Sequence, residues 1–382
     1  MLKYELKKNY FKKSVIIILI VFTIANIWKC NDLKVNHGRF SYMNSVEIAY
    51  RDLVNEKLSG IITADKIQFV MKEYEQLAYI VDNTDYSTEY DENRYTGYVF
   101  GDYGLFRFYI IPDMEYAYLY SKHSAGIVEN AVENEKFYAD ISNIYQVKEN
   151  ILIQKLYQNR NIPSFYDTDG IQEFLSYDFS VLLSVMMIVL AVSSVFCMEK
   201  ESGMYMILST ATTRKKLIKP KILAAIIYSL FIGTYFFVVD FIIFAVFWGI
   251  HGVFNPIYSL IEFQYTPLNC SIFIFIAIRL LLRLVFMTVT CLICLICSCV
   301  IKSSRLSFVC SLTITTVSVA MVDLFPDNIF NPAVLLNNNM VNSFQTIAVD
   351  NIPILSYYAA ITVSVIYLLL LSLLLKRRVR KW

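Results

Sequence analysis

The residues most able to do chemistry are three charges set inside runs otherwise too apolar for water. Asp240 lies in the run Ile222 to Gly249, and Arg279 and Arg283 lie in the run Cys270 to Ile301. An ionised side chain in a bilayer core is costly and is ordinarily paired. Asp240 stands nine residues from the end of its run, and Arg279 nine residues into the next. At the helical rise both are then about 13 Å deep from adjoining ends. Arg279 and Arg283 share one helix face, so either could reach Asp240 across an antiparallel contact. Such a pair could be a structural tie or could line the path of a solute. Cys291, Cys294, Cys297 and Cys299 follow in the same run. Their spacing cannot close four thiolates round one ion on a straight helix, and cysteine in a span packs as a small apolar residue.

Other chemistry has little to stand on. There is no phosphate-binding GxxxxGK[ST], no GxSxG, no HExxH and no CxxC pair bracketing a histidine. His37, His123 and His251 are scattered. The sequence therefore reads as no enzyme and as holding no metal or cofactor of its own, and nothing in it points to nucleic acid.

The second constellation is Cys197 to Lys221, CMEKESGMYMILSTATTRKKLIKPK. It starts acidic with Glu199 and Glu201, passes Gly203 and the amphipathic patch Met204 to Leu208, and ends basic with Arg214, Lys215, Lys216, Lys219 and Lys221. A basic loop between two spans belongs on the cytoplasmic side. It could be a solvated loop with an interfacial helix, or a docking element for a cytoplasmic partner protein.

The elements that must position these residues follow from composition. Of 382 residues, 57% are hydrophobic and 17% charged, and the mean hydropathy is +0.49. That is more apolar surface than a soluble fold of this length hides, so the chain reads as a polytopic α-helical membrane protein. Residues 1–13 carry five lysines with Leu2, Leu6 and Tyr10 four apart, an amphipathic interfacial helix. Residues 14–28 read as an uncleaved first span, because no small-x-small cleavage site follows. Further spans are expected at 179–198, 222–249, 270–301, 306–325 and 354–375, with a basic tail at 376–382. The 199–221 segment is the inner loop. The expected inner segments carry five, six, two and five Lys plus Arg, against none in the two short outer loops. This pattern predicts six spans with both termini inside.

Residues 29–178 form a polar domain with 24 Asp plus Glu against 14 Lys plus Arg, expected outside. It has no cysteine between Asn31 and Asp178, which excludes a disulfide framework. Its pattern predicts helices from Ser45 to Gly60, from Ala64 to about Asp82 behind a Thr63 cap, and from about Ser124 to Asn159. Short β-like runs such as LFRFYII (Leu105 to Ile111) predict a mainly helical α+β domain. The acidic run from Asp82 to Asp102 could bind a cation, or be a solvated face.

Taken together these features resemble the permease subunit of ABC-2-type ATP-binding-cassette exporters, of the kind linked to antimicrobial-peptide or lantibiotic export and self-protection. The resemblance rests on E-x-E-x-G followed by L-S-T-x-x-x-R-x-x-L-x-x-x-K. Here these are Glu199, Glu201, Gly203, Leu208, Ser209, Thr210, Arg214, Leu217 and Lys221. It rests also on EFLSYDF before the second span and on the helix-breaking stretch before the last. The resemblance implies a bacterial plasma-membrane exporter whose permease forms the substrate path. A separate ATPase carrying ATP and Mg would dock on Glu199, Glu201, Gly203, Arg214, Lys215 and Lys216. It implies a second permease copy or paralogue, and external re-entrant helices at 326–351. A membrane-anchored sensor or scaffold with an external recognition domain is the alternative.

Overall fold

The computed structural model describes residues 1–83, 90–204 and 214–381 of the chain. Among the described residues, six helical stretches are long and apolar enough to cross a membrane. In a bilayer only a helix or a closed barrel satisfies its own backbone, so these runs have one solution. The chain is a polytopic helical membrane protein. We label the spans TM1 (Lys13–Asp32), TM2 (Phe179–Val192), TM3 (Arg214–Phe247), TM4 (Ile272–Val300), TM5 (Ser304–Leu324) and TM6 (Ser356–Lys381). TM2 and TM4 are the most buried of the six, while TM1, TM5 and TM6 turn most of their apolar surface outwards. TM4 packs on TM2, TM3, TM5 and TM6 and is the axis of the bundle. Gly233 lets TM3 approach it closely, since a Cβ there would sit 3.1 Å from Met287 and 3.2 Å from Leu284.

The segment before TM1 is helical, Leu2–Glu5 continuing as a π-turn over Leu6–Tyr10. Leu2 and Leu6 pack on the bundle core, and Tyr10 stacks on Tyr228 of TM3 at 4.8 Å. The four-residue repeat of apolar side chains thus faces the bundle. TM2 stops early, at Val192, and a turn over 193–196 leads into the short helix Cys197–Glu201.

The polar domain between TM1 and TM2 is built from the helices Asn44–Leu53, Ala64–Asn83, Val99–Leu105, Ile111–Asp140 and Ile144–Tyr157. Its β content among the described residues is one antiparallel pair, β1 (Gly60–Ile61) with β2 (Ser164–Phe165), so there the α+β expectation reduces to a two-residue ladder. The LFRFYII run is helical, against its β-like composition. Leu105, Phe106, Ile110, Met114 and Ala117 recur at helical spacing and are all buried in the domain core, and that burial overrides local propensity. The expected helix over 124–159 is instead a hairpin of two helices. Ser142 turns the chain at φ 58°, and the Asn143 side chain accepts from the Gln146 N–H to start the second helix. Part of the acidic run, residues 84–89, lies outside the described residues.

Between TM5 and TM6 the chain is helical only in short pieces among the described residues. A 3₁₀ turn (Pro332–Leu336), a four-residue helix (Asn339–Asn342) and the antiparallel hairpin of β3 (Thr346–Val349) and β4 (Ile352–Leu355) stand there. Asp350 and Asn351, at φ 48° and 59°, make the two-residue turn whose twist suits a hairpin. Ala333, Val334 and Leu335 are nonetheless buried, so this segment plugs into the bundle.

Candidate functional site

The three intramembrane charges do come together, but not equally. Arg283 Nη1 lies 3.3 Å from Asp240 Oδ2, and both side chains are almost wholly buried. The remaining lone pairs of Asp240 are taken by Asn26 Nδ2 at 2.7 Å and Ser180 Oγ at 2.5 Å. Arg283 Nη2 donates to Ser180 Oγ and Ser184 Oγ, each at 3.0 Å, and Tyr177 donates to Asn26 at 2.7 Å. TM1, TM2, TM3 and TM4 each contribute at least one member. Of the pair's polar atoms only Arg283 Nε has no hydrogen-bond partner among the described residues, and a buried ion pair survives only when nearly all are met.

Arg279, one turn nearer the domain end of TM4, does not pair with Asp240. Its guanidinium donates to the Leu175 carbonyl at 3.1 Å and the Leu335 carbonyl at 3.4 Å, and Asn338 donates to the same Leu175 carbonyl at 3.0 Å. Arg279 thus joins the approach to TM2 to the 3₁₀ turn. A cavity of about 30 Å³ is enclosed by Asp240, Arg279 and Arg283 with Phe174 and Leu336. It is big enough for water and too small for a solute, which favours the tie over the path.

At the opposite end of the bundle, the loop after TM2 is bolted to its neighbours. Ser298 Oγ accepts from the N–H groups of Phe196 and Cys197 at 2.9 and 3.2 Å, and Ser307 donates to the Ser193 carbonyl at 2.7 Å. The hydroxyls of TM4 and TM5 so satisfy the backbone freed where TM2 breaks. Lys200 Nζ donates to the carbonyls of Cys299 and Ile301, a cation on the last turn of TM4. Glu201 accepts from the Ser304 N–H at 2.8 Å and from its hydroxyl, an anion on the first turn of TM5. Glu199 is buried and ion-paired with Lys221 of TM3.

These positions tie the two acids expected in the docking segment, Glu199 and Glu201, to neighbouring spans. Glu199 is buried against TM3, whereas Glu201 caps TM5 from an exposed position. Gly203 ends the helix Cys197–Glu201 in the left-handed region, at φ 72°, with nothing within 4 Å of a Cβ built there. Arg214 opens TM3. The Tyr205 to Leu208 part of the amphipathic patch and the side chains of Arg214, Lys215 and Lys216 lie outside the described residues. Glu201→Gln should weaken the TM5 cap. A lower unfolding midpoint with unchanged membrane insertion is the expected result, read by thermal melting in detergent.

The polar domain is joined to the bundle through the TM3–TM4 loop by an arrangement the sequence did not suggest. Arg160, almost fully buried, donates to the carbonyls of Leu156, Thr266 and Leu268. Its guanidinium lies 4.3 Å from the Tyr157 ring centre and 4.8 Å from that of Tyr258. Tyr116 and Tyr120, four apart on one helix face, donate to the carbonyls of Tyr258 at 2.7 Å and Gln264 at 3.0 Å, and Tyr157 donates to Tyr265. Tyr120 stacks on Tyr258 at 4.9 Å with the rings 5° from parallel. The signal available was the Tyr-x-x-x-Tyr spacing, which places both rings on one helix face.

No family model, curated protein or solved structure matches the chain. The geometry therefore stands alone. The buried charge pairs described above hold helices to each other.

A further acid sits at the junction. Asp167 is 4% exposed and accepts from the Asp169 N–H at 3.1 Å. Burial pushes its carboxyl above the usual value of 3.8, against the opposing pull of that N–H and of Arg51, His251 and Arg39. The folded state then holds the proton more tightly than the unfolded chain, so this contribution to stability falls as the pH rises above 3.8. Asp167→Asn is expected to raise the melting midpoint at neutral pH and to leave it unchanged as the pH nears 3.8. Melting curves across that range check it.

Proposed function

We propose that the chain is the membrane-spanning permease subunit of an ATP-binding-cassette exporter of the ABC-2 type, sited in a bacterial plasma membrane with both termini inside. The observation that carries this reading is the fixing of the segment after TM2. Glu199 ties it to TM3, Lys200 to the end of TM4 and Glu201 to the start of TM5. A force applied to this one loop is delivered to four spans at once, which is what an ATPase docked on the loop requires. ATP and Mg would be bound by that separate subunit, and two permeases with two ATPases would form the working unit. The basic stretch Arg214, Lys215 and Lys216 would meet the ATPase or lipid phosphates.

The Arg160 clamp also suits a sensor, since it would pass a change in the polar domain to TM3 and TM4 without transport. Purification of the tagged protein from its own host separates the two readings. An ATP-binding-cassette subunit in stoichiometric amount, lost when Arg214, Lys215 and Lys216 are changed to Ala, is the expected result. Recovery alone, or with a kinase, would overturn the transporter and favour the sensor.

A further inference from the structure

We propose that the cavity at the joint between the polar domain and the bundle is a binding site for a primary ammonium ion carried on an apolar stem. Its volume is about 310 Å³, at the lower end of the size range of small-ligand pockets, roughly 300–1,000 Å³. Three elements help to wall it. They are the helix Ile111–Asp140 through Asp113, the helix Asp169–Ser176 that leads into TM2, and the TM3–TM4 loop through Ser259 and Ile261. Ile162, Phe165 and Ile261 give the cavity an apolar side.

The charge on the wall decides the sign of the ligand. Asp113 and Asp169 both line the cavity, and Arg39 is the one cation lining it among the described residues. Arg39 is already engaged. Its Nη1 and Nη2 lie 2.8 and 3.0 Å from the two Asp113 oxygens, and Nη1 lies 3.2 Å from Asp169 Oδ1. The ring centres of Phe40, Tyr50 and Tyr109 stand 5.6, 5.4 and 5.1 Å from its guanidinium. It has little left to offer an anion, and two carboxylates to one guanidinium leave the wall negative. Asp169 Oδ2 accepts no hydrogen bond among the described residues, and the side chain keeps 18% of its surface exposed. One carboxylate oxygen is thus available to a cation.

Ser259 narrows the class further. Its hydroxyl is buried and has no hydrogen-bond partner among the described residues. A buried hydroxyl left unmet is costly, so a partner from outside the chain is favoured. A primary ammonium has three N–H donors and can serve both a carboxylate and the Ser259 oxygen, whereas a quaternary ammonium has none. The stem would lie along Ile162, Phe165 and Ile261. This inference does not depend on the transport reading, because its walls belong to the joint and not to the segment after TM2.

The test uses the full chain in detergent at about pH 8, where carboxylates are ionised and an alkylammonium keeps its proton. Phenethylammonium is titrated in a calorimeter, with phenethyltrimethylammonium, hydrocinnamate and phosphoethanolamine as competitors. Saturable binding that none of the three displaces is the expected result. Asp169→Asn should weaken it about tenfold and Ser259→Ala about threefold. Ser259→Ala removes only an unpartnered hydroxyl, so the melting midpoint without ligand should not fall. No saturable heat, or full affinity in both variants, would overturn the site. Displacement by hydrocinnamate would overturn the charge selection, and displacement by the trimethylated ion would overturn the need for N–H donors. Phosphoethanolamine competing as well as the amine itself would overturn the apolar stem and point to a lipid head group instead.

Discussion

Asp240→Asn is expected to cost the membrane bundle much of its stability. Asparagine preserves the shape of the side chain and can still bond Asn26 and Ser180, so packing changes little. What disappears is the one carboxylate facing Arg283, whose guanidinium stays 5% exposed. Removing one partner of a buried pair typically costs about 3–5 kcal/mol, because the other charge is left without compensation. Against a total stability of about 5–15 kcal/mol this is a large share. Arg283→Gln should do the same from the other side, stranding Asp240. The double change is the decisive variant. With both charges gone, the two new amides sit among the neutral side chains of Asn26, Ser180 and Ser184, and more than half of the loss should return. Melting of detergent-solubilised protein, followed by the loss of the monodisperse elution peak, reads all three. Wild-type midpoints in the single variants, or a double variant as poor as the sum of both, would refute the pairing. Arg279→Gln should be milder, about 1–3 kcal/mol, since it strips bonds from two carbonyls and breaks no ion pair.

The same pair shows how far a sequence can be read. Six spans are legible because a membrane helix must be apolar over a fixed length, and no tertiary detail alters that. Helix ends are less legible. TM3 is already helical at Arg214, eight residues before its apolar run, because lysines and arginines continue a helix as readily as leucine does. Placing Arg279 and Arg283 on one face was correct, but spacing cannot say which of them meets Asp240. That depends on the register between TM3 and TM4, which is set by contacts such as Gly233 against Leu284 and Met287. The partners Ser180 and Ser184 carry a faint trace, two hydroxyls four apart in an apolar run. Glu199 and Glu201 show the converse. Their charge is plain in the sequence, but their partners Lys221 and Ser304 come from two different helices, and only the packing of TM2 against both reveals a clamp.

The link between the polar domain and the bundle was the least legible element, and its central residue should be the most sensitive point outside the membrane. Arg160 serves three carbonyls and fills the space between two tyrosine rings, so Arg160→Ala removes bonds and stacking together. Bonds from a charged donor contribute about 1.5–3 kcal/mol each and are not additive, so a loss of about 3 kcal/mol is expected. Arg160→Lys should recover little. A lysine ammonium cannot span carbonyls on two sides of a planar fork, nor stack flat between Tyr157 and Tyr258. The loss should also be local. Hydrogen exchange ought to rise in the TM3–TM4 loop and at the ends of the helices Ile111–Asp140 and Ile144–Tyr157, with the bundle around Asp240 still protected. Exchange that rises equally in TM2 and TM4 would mean that Arg160 stabilises the whole molecule and that the domain has no separate hinge at this loop. Exchange that stays at the wild-type level would mean that Tyr116, Tyr120 and Tyr157 hold the loop without it, and that the arginine is dispensable to the joint.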